Sequence, residues 1–305
     1  MKKSTRLLII LVFSTFGISL EAQTPKLELN IINAEYLPIG REEFLKLSEE
    51  IFQYECERVK FRKDINVVLE IKDIEGSARG QAKPDADSPK IFLSKDSIKT
   101  TSHLLGVFAH ELGHIICYRL IDSSHQTGNM YWDEGFASWV AGKYYLNWQG
   151  YHNYSSAMKY IISSDKYYEI RNIYGECTRS ARQRDIIYME WASFIDYLAK
   201  RYGFDKILSL HNYFAQTMKG FFNMNESISS DSLDNQITIL KGVPLNNKRT
   251  KEGHIMMDQN DLDRLNKAHK LIIEDPNEIL KKAYVKIYNM DFDQLKKQWL
   301  LQFAL

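Results

Sequence analysis

The sequence predicts an α+β fold, in which a small mixed sheet and a long helix are followed by a mostly helical C-terminal part. Two observations predict it. Short runs rich in β-branched residues, separated by polar loops, occur before residue 95, and apolar residues at helical spacing dominate after residue 97. The chain of 305 residues is long enough for one large domain or two modest ones, and it contains no visible internal repeat.

The first part of the chain contains three predicted strands and two predicted helices. The strands are alternating or continuous apolar runs, and the helices have charged residues between regularly spaced apolar ones. Residues 73–90 are rich in Gly, Asp, Pro and Ser, which predicts a loop or an irregular hairpin. The strands are expected at 27–32, 65–71 and 90–94, and the helices at 41–59 and 97–121.

The second part is expected to be helical from residue 133 onward. Asp133 is a typical N-cap residue for a helix over 133–145. Residues 225–236 are polar and predict a loop. We therefore expect an N-terminal lobe at 23–121 and a helical C-terminal lobe at 122–305. The further helices are expected at 151–163, 186–202, 205–218, 258–274 and 277–288, and residues 292–303 close the chain.

The N-terminus has the layout of a secretory signal peptide. Three basic residues precede a short apolar run over 7–20, and Ala22 provides a small residue at the expected cut. We expect residues 1–22 to be removed, which predicts a secreted, periplasmic or cell-surface protein without a membrane span after cleavage. The alternative is an uncleaved membrane anchor. The basic residues are Lys2, Lys3 and Arg6.

Composition excludes some classes of partner. The net charge is +1, so no overall basic field favours a nucleic acid. Three cysteines are too few for a disulfide scaffold. The 18 Tyr and 15 Phe residues suit a packed core. None of these features indicates the oligomeric state.

The string HELGH, residues 110–114, predicts a metal site. On a helix, His110 and His114 lie one turn apart on the same face and can point at one ion. Glu111 lies between them and can take a proton from a water molecule at that ion. The alternative is a chance match on an ordinary buried helix face whose histidines have other partners.

A catalytic zinc site needs a third protein ligand. The metzincin pattern requires Gly and His where this chain has Cys117 and Leu120, so that branch is excluded. Cys117 is better explained as a buried residue of the helix core than as a metal ligand. His125 has no supporting pattern, and His103 lies about 11 Å along the helix axis before the motif. The remaining strong candidate is Glu134 in YWDEGFASW, in the first turn of the next predicted helix.

The combination of HELGH and WDEGFA resembles the gluzincins, zinc peptidases whose third ligand is a Glu on a second helix. WDEGFA is similar to the NEGFA segment of the aminopeptidase branch and of related secreted peptidase-like families, with Asp133 in place of Asn. The resemblance covers about residues 90–205, and MDFDQLKKQW near the C-terminus resembles the closing helix of those families more weakly. It implies a zincin-like fold and one Zn²⁺ held by His110, His114 and Glu134.

The same resemblance extends to a possible oxyanion donor. The segment IYMEWASFIDYLAKRYG, residues 187–203, resembles the gluzincin helix that carries a catalytic tyrosine. The matching residue is Tyr188, whose phenol would hydrogen-bond the oxyanion of the tetrahedral intermediate. The alternative is that Tyr188 is one of many tyrosines that pack a helix.

We expect an exported zinc metallopeptidase that hydrolyses peptide or protein substrates with Glu111 as general base. Residues 76–92 lack the Gly-Ala-Met-Glu-Asn edge strand whose Glu binds the substrate amine in the aminopeptidase branch, which favours an endopeptidase. An edge strand near Gly80–Ala82 could still pair with an extended peptide. The alternative is a catalytically inactive zincin-fold protein that binds partners at the cell surface and keeps the metal for stability.

Overall fold

A computed structural model describes residues 24–76, 78–84, 88–121, 127, 129–171, 181–229 and 276–303. These residues form a four-stranded sheet and nine α-helices, and a short 3-10 turn at Ala34–Tyr36. The fold is therefore mixed α+β with mostly helical content, as predicted. Within the described residues, no helix is both long and apolar enough to cross a membrane.

The sheet has three parallel strands and one antiparallel edge strand. Its order is β1-β2-β4-β3, with β1, β2 and β4 parallel and β3 antiparallel to β4. The three predicted strands are confirmed, and β3 is an addition inside the segment that was expected to form a loop or hairpin. The strands are β1 Leu27–Ile32, β2 Ile65–Lys72, β3 Gly80–Lys83 and β4 Lys90–Ser94.

Helix α1, Arg41–Val59, connects two parallel strands, which requires a crossover of this kind. It buries its apolar face, including Phe44 and Phe52, against the rest of the core. Phe44 meets Phe108 of α2 edge to face, with ring centroids 5.2 Å apart. This packing sets the position of α2 over the sheet.

Helix α2, Thr101–Leu120, carries HELGH in its middle. The helix begins four residues later than predicted, because Thr100 is its N-cap and accepts a hydrogen bond from the His103 backbone N–H. Most of its residues from Leu104 to Cys117 are buried. The motif therefore lies on a helix that is covered on several faces.

The prediction of one helix over 133–145 is wrong in two respects. The helix begins earlier, and the segment forms two helices instead of one. The structure has α3 at Met130–Ala141 and α4 at Lys143–Trp148. Asn129 is the N-cap, because its side chain accepts a hydrogen bond from Trp132 N–H at 3.1 Å. Asp133 lies inside the first turn and accepts a hydrogen bond from the Thr127 hydroxyl. Gly142, with φ of 51°, separates the two helices.

The remaining helices follow the predicted order. The α6 helix begins five residues before its predicted start, and α7 continues through residue 229, where a loop was expected. The predicted helix over 258–274 and residues 230–236 lie outside the described residues. The elements are α5 Tyr154–Ser163, α6 Ala181–Tyr202, α7 Phe204–Ser229, α8 Pro276–Tyr288 and α9 Phe292–Leu300.

One hydrophobic cluster extends from Ile31 on β1 to Phe303 after α9. Its C-terminal part is rich in aromatic rings, with Trp191 of α6 stacked on Phe292 of α9. Because the cluster includes residues on both sides of residue 121, the core is continuous across the predicted lobe boundary. The division into lobes at 23–121 and 122–305 stays a prediction.

Candidate metal centre

The predicted ligands meet in space. His110 Nε2 lies 3.0 Å and His114 Nε2 lies 3.3 Å from the same oxygen, Oε2 of Glu134. The three ligand atoms all lie within 4.8 Å of one another. Ligand atoms around a tetrahedral ion with bonds of about 2.0–2.1 Å are roughly 3.3 Å apart. The spacing therefore fits a group that could hold a metal ion.

Close packing of α2 on α3 brings these side chains together. A Cβ atom added to Gly113 would lie 2.8 Å from the Ala137 carbonyl oxygen, so the two helix backbones nearly touch at this point. On the other side of α3, a Cβ on Gly135 would collide with Trp191 of α6. The glycine of HELGH therefore permits the approach that lets Glu134 reach both histidines.

The charges of the triad are strongly coupled. Burial alone would raise the pKa of Glu134, but the neighbouring His114 and His110 hold it well below its usual range. Burial alone would lower the pKa of His114, yet the Glu134 carboxylate raises it to about 9. A metal cation would take the place of the proton on His114, because imidazole binds metals in its neutral form.

Ser138 supports one of the histidines from behind. Its Oγ lies 3.2 Å from His110 Nδ1, and its backbone carbonyl accepts a hydrogen bond from the Tyr154 hydroxyl at 2.9 Å. A partner on Nδ1 fixes the ring and leaves Nε2 for a metal. Sequence reasoning missed Ser138, although it follows Glu134 by four residues and so shares a helix face with it.

Glu111 lies beside the triad, against the edge strand β3. A Cβ on Gly80 would approach Glu111 Oε1 to 2.6 Å, so this backbone packs directly on the carboxylate. Burial raises the pKa of Glu111, while the two histidines of the motif and the Ala82 backbone N–H act in the opposite direction. Glu111, the predicted general base, thus lies next to the candidate metal site. Its carboxylate binds a proton more tightly than an exposed glutamate does.

Tyr188 also reaches the site. Its ring is stacked on the His110 imidazole, with centroids 6.0 Å apart and planes inclined by 13°. It lies on α6, a helix that packs against α3. The predicted tyrosine is therefore close to the triad rather than on a distant helix face.

The triad, Glu111 and Tyr188 line one cleft of about 340 Å³. The cleft also contains an ion pair that sequence reasoning missed, between Arg79 Nη1 and Asp185 Oδ1 at 2.7 Å. The Arg79 guanidinium lies over the Trp148 ring, 5.1 Å from its centroid. Their separation by 106 residues leaves no local signal in the sequence that would link the two charges.

A buried histidine outside the triad lines the same cleft. His211 of α7 accepts a hydrogen bond on Nδ1 from Trp132 Nε1 at 3.0 Å, and both side chains are buried. Burial lowers the pKa of His211 to about 4, so the ring is neutral near pH 7. This residue was not predicted, because the pairing depends on the contact between α3 and α7.

The residues rejected as ligands stand apart from the triad, as far as the structure describes them. His103 is exposed on α2 and lies near Trp148, with ring centroids 6.4 Å apart. Cys117 is a buried free thiol in the cleft wall and does not belong to the ligand group. His125 lies outside the described residues.

Comparisons of the chain with protein-family models, with curated proteins and with solved structures gave no match. Function is therefore inferred from the chemistry of the cleft and from the residues that line it. The gluzincin resemblance of HELGH and WDEGFA stays a prediction.

Proposed function

We propose that this protein is an exported zinc-dependent metallopeptidase of the gluzincin type, with a zincin-like fold. The observation that carries the proposal is the convergence of the Glu134 carboxylate on His110 and His114, with Glu111 beside them in a cleft. Structural zinc sites are normally closed by four protein ligands, whereas three ligands at a cleft leave a position for a water or a substrate. Export is proposed from the signal-peptide layout of residues 1–22.

The donor set favours zinc. Two imidazole nitrogens and one carboxylate oxygen suit this ion and form one of the ligand combinations of catalytic zinc. When bound, Zn²⁺ supplies Lewis acidity, which makes a water more acidic and polarises the carbonyl of a peptide bond. Ser138 supports this role by holding His110 in the tautomer that leaves Nε2 for the metal.

Glu111 is the proposed proton carrier of the reaction. It takes a proton from the attacking water and delivers it to the nitrogen of the leaving amine. Burial raises its pKa, which helps the carboxyl group to keep the proton between the two steps. Tyr188 donates a hydrogen bond to the oxyanion that forms at the attacked carbonyl. Its ring lies 6.0 Å from the His110 imidazole, centroid to centroid, which supports this role.

The cleft favours an endopeptidase. Among the described residues that line it, the acids outside the triad and the general base are Asp133 and Asp185. Asp133 accepts a hydrogen bond from Thr127, and Asp185 is paired with Arg79. Each carboxylate therefore already has a partner within the protein, and neither is placed to bind the free amine of a substrate. The edge strand β3 next to Glu111 is suited to an extended peptide that adds to the sheet.

A digestion assay tests this function. We expect the purified full chain to cleave casein or a mixed peptide library, to lose activity with a chelator and to regain it with Zn²⁺. Glu111→Gln should lower kcat by about 10²–10⁴-fold, because the proton carrier is removed, and should retain stoichiometric zinc. Glu50→Gln, an exposed change on α1, is the matched control and should leave both activity and metal content unchanged.

The alternative function is a catalytically inactive surface protein that keeps the metal for stability. The missing amine-binding Glu in residues 76–92 is the observation that favours it. Stoichiometric zinc without hydrolysis of any peptide in the library would support this alternative. Full activity of Glu111→Gln would instead contradict the proposed mechanism, in which Glu111 carries the proton.

A further inference from the structure

The Arg79–Asp185 ion pair lies in the wall of the cleft. Arg79 immediately precedes β3, and Asp185 lies on α6, so the 2.7 Å contact joins the sheet to a helix of the C-terminal part. The side chains are 35% and 23% exposed, which makes this pair partly shielded from water. The Arg79 guanidinium is also held over the Trp148 ring.

Both ends of the pair lie next to proposed catalytic groups. Asp185 precedes Tyr188 by three residues, so the two side chains lie on the same face of α6, one turn apart. Arg79 is followed by Gly80, whose backbone packs against the Glu111 carboxylate. The ion pair thus connects the strand that contacts the general base with the helix turn that carries the tyrosine.

Tyr188 is the proposed oxyanion donor, so its position relative to the triad matters for the reaction. Its ring faces His110 at 6.0 Å, and this distance depends on where α6 lies relative to α2. An exposed ion pair is screened by water and salt and holds its partners loosely. Arg79 and Asp185 are partly shielded, and the Arg79 guanidinium lies over the Trp148 ring, so their contact can help to fix the position of this part of α6.

We propose that Arg79 and Asp185 are positioning residues for Tyr188, and that their ion pair keeps its phenol at the metal triad. The catalytic consequence rests on the proposed peptidase function. Loss of the pair lets this turn of α6 move away from β3, and the hydroxyl of Tyr188 is then misplaced relative to the oxyanion.

A double-mutant cycle with Tyr188 tests the catalytic part. In the zinc-loaded full chain, Asp185→Asn should lower kcat about tenfold with little change in KM, because a displacement of order 1 Å is enough for such a loss. Tyr188→Phe alone should lower kcat by about 10²-fold, as loss of an oxyanion donor does. Adding Asp185→Asn to Tyr188→Phe should have no further effect. Additive losses would mean that the ion pair acts elsewhere, which overturns the proposal.

Two further variants separate positioning from general damage. The exchanged pair Arg79→Asp/Asp185→Arg should recover most of the kcat lost in Asp185→Asn, because the contact is restored with the charges reversed. Lys200→Gln removes another ion pair of α6, the contact of Lys200 with Asp196 at 2.6 Å, and should leave kcat unchanged. An equal loss in this control would contradict a specific role.

A spectroscopic measurement tests the position of Tyr188 without any peptidase assay. With 3-fluorotyrosine incorporated, the Tyr188 ¹⁹F resonance is assigned by its loss in Tyr188→Phe. We expect Asp185→Asn and Arg79→Gln to shift or broaden it, the exchanged pair to restore it and Lys200→Gln to leave it in place. An unchanged resonance in Asp185→Asn overturns the proposal, and absence of hydrolysis in the wild type overturns only the proposed function.

Discussion

In the candidate metal triad, a single carboxylate oxygen contacts two imidazole rings. Glu134 Oε2 lies 3.0 Å from His110 and 3.3 Å from His114, and the side chain of Glu134 is only 23% exposed. Without a cation, a proton on His114 balances the charge of Glu134, which explains why their pKa values move in opposite directions. The same compact set of donors is what a divalent ion requires.

Ser138 provides a test of the support behind the triad. Ser138→Ala removes the Oγ that lies 3.2 Å from His110 Nδ1, and we expect zinc affinity to fall about 10–100-fold because the ring loses its orientation. Competition with a chromophoric chelator measures the change. Ser193→Ala is the control, since it removes a buried hydroxyl bonded to Trp299 and should leave zinc affinity unaltered. Wild-type affinity in Ser138→Ala would show that His110 is oriented by other contacts.

The sequence predicted the site residues whose geometry is local or whose pattern is distinctive. The i,i+4 spacing fixes His110 and His114 on one helix face, and WDEGFA singles out Glu134. Arg79 and Asp185 could not be found in this way. Each is an ordinary surface-type charge in the sequence, and only the approach of β3 to α6 makes them a pair.

Among the elements, the contact between α2 and α3 determines whether the ligands converge. Gly113 lies at that contact, facing the Ala137 carbonyl oxygen. In an isolated helix, Ala in place of Gly would add about 1 kcal/mol of stability. Here the added methyl group would meet helix backbone at 2.8 Å, and the backbone cannot move aside as a side chain would.

We therefore expect Gly113→Ala to lower the free energy of unfolding by about 1–3 kcal/mol, as overpacking does, and to weaken zinc binding. Urea unfolding of the metal-free protein measures the first effect. Gly40→Ala is the control for zinc binding, because a Cβ at Gly40 meets nothing within 4 Å. Ala is a poorer N-cap than Gly, so this variant should lose up to about 1 kcal/mol of stability and leave zinc binding unchanged. Higher stability of Gly113→Ala would contradict the close approach of the two helices.

The sequence predicted whether a segment is a helix or a strand better than it predicted where the segment begins and ends. Individual residues explain the differences. Asp133 and Asn129 are both good N-caps, and the sequence does not show which of them has its side chain near free backbone N–H groups. Gly142 interrupts a continuous helical pattern because its φ of 51° is left-handed. The strand Gly80–Lys83 has no buried residue and hence no hydrophobic alternation to reveal it.

Over the whole molecule, the predicted site joins the two predicted lobes. His110 and His114 precede residue 121, whereas Glu134 and Tyr188 follow it. The candidate ligand group can therefore form only when the helices of the second part have packed on α2. Binding of an ion to this group would stabilise the assembled fold, because the unfolded chain lacks the convergent ligands.

Acid should destabilise the molecule through His211. Its pKa is about 4 in the folded protein and 6.5 ordinarily, so the unfolded chain takes up the proton first as pH falls. The contribution of neutral His211 is fully present above pH 6.5 and is lost as pH falls towards 4, by up to about 3 kcal/mol.

His211→Gln should reduce this acid dependence, because glutamine can still accept from Trp132 Nε1 and does not titrate. The measurement is the free energy of unfolding from pH 7 to pH 4, taken as the difference between variant and wild type so that other groups cancel. His103→Gln, an exposed change on α2, is the control and should follow the wild-type curve. Parallel curves for His211→Gln and wild type would contradict the assignment.

The central claim is that His110, His114 and Glu134 together hold one zinc ion. Calorimetric titration of the metal-free full chain with Zn²⁺ tests it most directly. We expect one equivalent to bind to the wild type and to Glu111→Gln, and stoichiometric binding to be lost in Glu134→Ala, because two histidines alone leave the ion under-coordinated. No stoichiometric binding by the wild type, or unchanged binding by Glu134→Ala, would contradict the claim.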